Sequence, residues 1–258
     1  MKVLERFSLK NKVALVTGGA GLYGKYIVEA LAEAGAIVYV ASRNFENCKK
    51  LAEKLVKENY QVFPAKLDQS KEASIKNLYQ KIIKEQKKID ILVNNAVLRP
   101  MRSYYDPIEK FALSMKVNAV GLFNLTRIFA EDMKKRRYGS IINIASTHGI
   151  VGPDFTLYEG TDMYAAPDYF FHKAGLINLT KYLASILGPY NIRVNAVSPG
   201  GLFSNQPSIF VKRYNQRTFL GRMANGEDIK GVIVFLASDA SLYITGANIV
   251  VDGGYTAK

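Results

Sequence analysis

Seven short apolar runs, separated by longer amphipathic stretches, restrict the fold of this chain more than anything else in it. KVALVT, AIVYVA, QVFPAKL, IDILVNNA, SIINIAS, IRVNAVS and NIVVDGG read as strands, with helical patterns between them. Their hydrophobicity is continuous rather than alternating, which predicts strands buried on both faces in a parallel sheet covered by helices. Strand and helix in strict alternation predict a doubly wound βαβ domain of the α/β class. One domain over residues 1–258 suffices, since no repeat, low-complexity tract or linker interrupts the pattern. The only long irregular stretch is 147–163.

Composition narrows the setting. A chain of 258 residues with 48% hydrophobic content can bury a substantial core. Its one cysteine, Cys48, has no internal partner for a disulfide. The start of the chain, MKVLERFSLKNK, lacks the apolar run of a signal peptide, and no stretch reaches the ~20 apolar residues that span a bilayer. A cytoplasmic protein without a membrane partner is expected. The net charge of +13 raises the question of a nucleic-acid partner. However, the lysines are spread along amphipathic segments such as KKLAEKLVKENY and SIKNLYQKIIKEQKK, where they read as solvated helix faces. The densest cluster, Lys134 to Arg137, falls where a long helix should end and complements its dipole. No nucleic-acid partner is expected; a lysine-rich surface accounts for the charge, with an acidic small molecule in a basic cleft as the alternative.

The first apolar run passes directly into Thr17-Gly18-Gly19-Ala20-Gly21-Leu22-Tyr23-Gly24, and an amphipathic segment, YIVEALAEAG, follows. Glycines at a strand-to-helix junction let the backbone turn tightly and approach a pyrophosphate, whose charge rests on the helix N-terminus. The second run ends at Ser42 and Arg43. An acid at that point would bond a ribose 2′-hydroxyl, whereas a hydroxyl beside an arginine accepts a 2′-phosphate, so NADP(H) is favoured and NAD(H) is the alternative. Asp68, after the third run, either bonds the adenine amine or caps the helix beginning near Ser70.

Tyr169 and Lys173 stand four apart in YFFHKAG, and Ser146 precedes them in NIAS. On a helix this spacing aims both side chains into one space. A phenol titrates near 10 and is a poor acid or base at neutral pH, but a fixed neighbouring cation favours the phenolate and brings it toward a useful range. Such a spacing also occurs by chance, with the lysine solvated and the tyrosine half-buried.

Taken in order, the glycine turn, Asp68, Asn94-Asn95-Ala96, Asn118 in MKVNAVG, Ser146, Tyr169, Lys173 and Ser198-Pro199-Gly200 resemble the short-chain dehydrogenase/reductase family over nearly the whole length. The resemblance implies a Rossmann-type domain with a seven-stranded parallel sheet, commonly a homotetramer and otherwise a homodimer. It implies that Tyr169 exchanges a proton with the substrate and that Lys173 lowers its pKa and bonds the nicotinamide ribose. Ser146 would polarise the substrate oxygen, and Asn118 would kink its helix and anchor a water. Gly18, Gly21, Leu22, Tyr23, Gly24, Ser42, Arg43, Asp68, Asn95, Ala96, Pro199, Gly200 and Leu202 would bind the cofactor. Three departures stand out: Leu22 occupies a usual glycine position, giving the spacing Gly18, Gly21, Gly24; Gly21 stands where many NADP-dependent members carry a basic residue; and Val97 replaces the usual glycine after NNA. The first spacing resembles nucleotide-sugar enzymes, so a dehydratase or epimerase with tightly held NAD(P) is an alternative, as is a non-catalytic NAD(P)-binding sensor.

From Ser146 to Tyr169 is about ten residues more than the family usually has. Asp154, Tyr158, Glu159 and Asp162 in this insertion are expected to project over the active site, where they suit a polyol or sugar. Arg99 and Arg102, and also Lys212, Arg213 and Arg217, are candidates to hold an anionic group, because arginine pairs bidentately with carboxylate or phosphate. The insertion and SPGGLFSNQP are similar to family members of flagellin-glycan or sugar biosynthesis and, more loosely, to gluconate dehydrogenases. His148 and His172 flank the catalytic residues without an acidic cluster, so they are expected to shape the pocket wall, with no metal bound.

Overall fold

The computed structural model of the protein describes residues 2–257. All seven apolar runs form strands: β1 (Val13–Thr17), β2 (Ile37–Ser42), β3 (Val62–Lys66), β4 (Ile91–Asn94), β5 (Gly139–Ile144), β6 (Ile192–Pro199) and β7 (Asn248–Val251). They make one sheet in the order β3-β2-β1-β4-β5-β6-β7, and every pairing is parallel. The order reverses between β1 and β4, and in such sheets ligands bind outside the carboxyl ends of the strands at that switch point.

The described residues form eight α-helices: α1 (Leu22–Glu33), α2 (Phe45–Lys57), α3 (Glu72–Gln86), α4 (Ile108–Met115), α5 (Leu122–Arg136), α6 (Pro167–Leu187), α7 (Ser208–Asn215) and α8 (Glu227–Ala237); α1, α2 and α8 pack on one face of the sheet and α3, α5 and α6 on the other. Each face has its own apolar layer. Ile27, Leu31, Leu55 and Ile233 pack against Val16, Val38 and Val93 on one side. Ile75, Leu78, Phe129 and Leu183 pack against Leu15, Leu92 and Val194 on the other. Burial on both sides accounts for the unbroken apolar runs.

The lysines expected on solvated helix faces lie there, several in exposed pairs such as Lys76 with Glu72 and Lys81 with Glu85. Arg136, at the end of α5, instead bonds the buried Asp90 at 2.9 Å and Asp132 at 2.8 Å. It is thus a fixture of the fold.

Buried amides tie the strand ends to the helices behind the site. Asn94 Nδ2 donates to Asn143 Oδ1 at 2.8 Å and to Thr126 Oγ1 at 3.0 Å, while Asn143 Nδ2 donates to Thr180 Oγ1 at 2.9 Å. β4, β5, α5 and α6 are thereby held in one register before any active-site side chain is placed.

Candidate active site

A cavity of about 900 Å³ opens at the switch point, lined along one end by the glycine turn and along the other by Ser146, Tyr169, Arg99 and the 147–166 insertion. The glycines keep the first end narrow. Gly18 has φ +61, a left-handed conformation, and a Cβ there would come within 2.7 Å of Ala96 Cα. A Cβ on Gly24 would run into the carbonyl of Gly18. Gly21 sits at the N-cap of α1 and no side chain caps the helix, so its first N–H groups remain available to an anion.

Several groups expected to touch a cofactor also brace the cradle. Asn95 Nδ2 donates to the carbonyls of Thr17 at 3.0 Å and Gly18 at 2.9 Å, and Thr17 Oγ1 accepts from the N–H groups of Asn95 and Ala96. Tyr23 donates its hydroxyl to the carbonyl of Gly200 at 2.9 Å, latching the glycine turn to the loop after β6. Burial raises the Tyr23 phenol above its ordinary range, so it stays a donor. Pro199, Gly200 and Leu202 line the cavity beyond it, and Leu22 is exposed at its edge.

At the far end of β2, Ser42 and Arg43 line the cavity with no acid at the strand end. The Ser42 hydroxyl donates to Asn44 O at 2.8 Å and lies 3.1 Å from Cys48 Sγ. Asp68 Oδ1 accepts from the N–H and hydroxyl of Ser70, at 3.1 and 2.6 Å. Asp68 does not cap the helix, since α3 begins at Glu72 behind Lys71 with no side-chain cap; it braces the turn before it, and those bonds hold its carboxyl below the usual range.

Tyr169 and Lys173 do share one face of α6, with Lys173 Nζ 5.5 Å from the centre of the phenol ring. Lys173 is buried and donates to Ile144 O at 2.5 Å. Burial lowers its pKa, against the attraction of Tyr169. For Tyr169, burial pushes the pKa up, but the charges of Lys173 and Arg99, with hydrogen bonding from Ser146 and Arg99, bring it below the ordinary value. Ser146 is buried beside it and caps a short 3₁₀ turn, Thr147–Gly149, by accepting from His148 N at 3.2 Å.

Asn118 lies in a π-helical turn, Lys116–Gly121, set between α4 and α5; this is the expected distortion of its helix. Its carboxamide makes a reciprocal pair with Leu98, accepting from Leu98 N at 2.8 Å and donating to Leu98 O at 2.7 Å. It also donates to Ser114 Oγ at 3.0 Å.

His148 stacks on Phe170 and meets the Tyr169 ring edge-on. His172 also meets the Tyr169 ring edge-on, its Nδ1 2.8 Å from Asp168 O. Burial lowers His148 to about 4 and His172 to about 3, so both are neutral near pH 7; His148 lines the cavity as expected, whereas His172 is buried behind Tyr169 and does not. No cluster of metal-ligating side chains occurs among the described residues.

The insertion divides its polar residues between two tasks. Tyr158 and Asp162 line the cavity; Glu159 is exposed and does not. Asp154 is taken by Arg217, whose Nε lies 2.5 Å from its carboxylate, and Arg213 bonds the Glu159 carbonyl at 2.5 Å. Leu157 packs with Phe210, Tyr214 and Met223 beneath. Arg213 and Arg217 therefore fasten the insertion to α7 instead of facing the cavity, and Lys212 lines a separate depression on the outside of α7. Arg99 and Arg102 do reach the cavity, and neither forms an ion pair among the described residues.

The fit to a nicotinamide dinucleotide rests on the narrow glycine cradle, the uncapped helix N-terminus and the buried Lys173 beside Tyr169. Such a cofactor carries the hydride when bound; the protein orients it and moves the proton.

A family model described as enoyl-(acyl carrier protein) reductase matches residues 21–256. The chain belongs to the short-chain dehydrogenase/reductase family. It is 32% identical over 255 residues to post-translational flagellin modification protein A of Campylobacter coli, covering 96% of this chain and 99% of the relative. It is 36% identical over 251 residues to the 3-oxoacyl-[acyl-carrier-protein] reductase FabG of Thermotoga maritima, covering 95% and 98%. Among solved structures, a gluconate 5-dehydrogenase from Burkholderia cenocepacia in complex with NADP and tartrate superimposes with a TM-score of 0.90 at 29% identity, over 100% of both chains. The chain is accordingly an NAD(P)-dependent dehydrogenase/reductase, and no helix among its described residues is long and apolar enough to cross a membrane.

Proposed function

We propose that the enzyme transfers hydride between NADP(H) and a hydroxyl or ketone of a polar, sugar-derived substrate bearing an anionic group. The observation that carries this reading is the pairing of Arg99 and Arg102, which form no ion pair among the described residues, with the proton-transfer residues in one cavity. Tyr158 and Asp162 on the same wall supply hydrogen bonds suited to hydroxyl groups. A phosphorylated or nucleotide-linked sugar and a sugar acid satisfy the same chemistry. Ser42 and Arg43, with no acid at the end of β2, support NADP(H), as does the NADP bound to the gluconate 5-dehydrogenase.

In this assignment Ser146 and Tyr169 hold the substrate oxygen. During ketone reduction Tyr169 gives its proton to the oxygen as charge develops there, and Lys173 keeps the resulting phenolate stable. Asn118 holds the π-turn and the loop after β4 in place. Glu159 leaves the substrate set, since it does not line the cavity; its carbonyl seats the insertion by accepting from Arg213.

The same reading has the enzyme working in the cytoplasm as a homotetramer or homodimer. Exposed apolar side chains on α4 to α6, including Ile108, Val120, Phe171 and Tyr182, supply a surface for self-association. Light scattering that gives a monomer mass would remove the oligomer.

A panel of keto- and hydroxy-sugars, neutral, carboxylated and phosphorylated, followed by reduced-nicotinamide absorbance, tests the substrate class. Turnover confined to anionic members is expected, and equal turnover of their neutral counterparts would overturn it.

A further inference from the structure

We propose that Arg99 is a positioning residue for the proton-transfer step, a second fixed cation that with Lys173 stabilises the Tyr169 phenolate. The guanidinium carbon of Arg99 lies 4.0 Å from the centre of the Tyr169 ring, closer than the 5.5 Å of Lys173 Nζ. A cation over an aromatic face is attracted by the ring, and more strongly once the ring carries negative charge. This goes beyond the substrate assignment, because it concerns the phenol and holds whatever the enzyme acts on.

Two observations explain why an arginine in a loop can hold such a place. The preceding residue, Leu98, is gripped through both backbone groups by the Asn118 carboxamide, at 2.8 and 2.7 Å. The following residue is Pro100, which restricts Arg99 to extended backbone. The π-turn that carries Asn118 thus aims Arg99 at the tyrosine.

The charge of Arg99 is also undiluted, since no carboxylate pairs with it among the described residues. The groups around Tyr169 come from every neighbouring element. α6 supplies Lys173, His172 and Asp168; the β5 to α6 connection supplies Ser146, His148 and Tyr158; α1 supplies Tyr23. Both histidines are neutral near pH 7, each held down in part by the Arg99 charge. Arg99 and Lys173 are therefore the two cations that act on the phenol.

The test needs no substrate. Phenolate absorbance of the cofactor-free protein is titrated with pH, and the component lost in Tyr169→Phe is assigned to Tyr169. That step is expected below the ordinary phenol range and should rise by about one pH unit in Arg99→Gln and in Arg99→Met. Arg99→Lys, which keeps the charge, should return most of the shift. Arg99 is solvent-exposed, so at least one neutral variant should fold. A purely structural arginine would lower the thermal midpoint and leave the step where it was. An unmoved step in whichever neutral variant folds, or a parent step already at the ordinary value, would overturn the proposal. Neither outcome touches the substrate assignment, which fails or stands on the sugar panel.

Discussion

The two ends of the cavity are built on opposite plans. At the cofactor end, polar groups are already engaged with one another: Asn95 with the glycine turn, Tyr23 with Gly200, Asp68 with Ser70. At the substrate end, Arg99 and Arg102 carry charge that no carboxylate among the described residues balances. A cradle braced by its own side chains, with only the first N–H groups of α1 left open, suits a constant anionic ligand. Unbalanced arginines are costly for a protein to gather, and they are balanced when an anion arrives. The same contrast separates geometry that any member of the family needs from geometry that selects a substrate.

Tyr169→Phe would break the two ends apart most sharply. Loss of the proton donor should reduce kcat by about 10²- to 10⁴-fold. Cofactor affinity, measured by quenching or enhancement of nicotinamide fluorescence, should change little, and full retained activity would remove the mechanism. Arg43→Ala acts within the cofactor end alone. Loss of a charge-assisted contact worth about 1.5 to 3 kcal/mol should weaken NADPH by roughly 10- to 100-fold while sparing NADH. Equal losses for both would erase the preference assigned to Ser42 and Arg43.

Acid should probe the substrate end next. His148 and His172 have folded pKa values of about 4 and about 3, below the ordinary value of 6.5. Between those limits the unfolded chain binds protons that the folded chain refuses, so stability should fall as pH drops from about 6.5 toward 4. The slope is at most about 1.4 kcal/mol per pH unit for each histidine. Denaturant midpoints across this window should show it, and His172→Gln should flatten it; an unchanged slope in that variant would assign the acid sensitivity elsewhere. The smallest effect belongs to Asp154→Asn. The Asp154 to Arg217 pair is partly exposed, so stability should change by less than about 1 kcal/mol. Substrate KM should nevertheless rise severalfold as the insertion loosens, with the cofactor KM unchanged.

Most of the fold was legible because apolar runs and glycines act locally. Each of the seven runs became a strand with its ends within three residues, and the turn from Thr17 to Gly24 took the shape its glycines allow. Tyr169 and Lys173 were legible for the same reason, since a spacing of four has one meaning on a helix. What the spacing could not convey is contact across the chain. Arg99 lies 70 positions before Tyr169, and its placement depends on Asn118 gripping Leu98. Nor do the acids of the insertion announce their direction: Asp154 turns to Arg217, 63 positions away, while Asp162 faces the cavity. Loop side chains go where tertiary partners take them, and no local period records those partners.

The fastening of the insertion to α7 has a consequence for how this enzyme could be remodelled. Asp154, Leu157 and the Glu159 carbonyl each have their counterpart on the segment from Phe210 to Arg217. Grafted alone onto a relative, residues 150–166 would arrive with a buried leucine uncovered and a carboxylate unanswered. On the proposed assignment, selectivity would be a cassette of two pieces distant in sequence, and only their joint transfer should carry a new appetite to another scaffold.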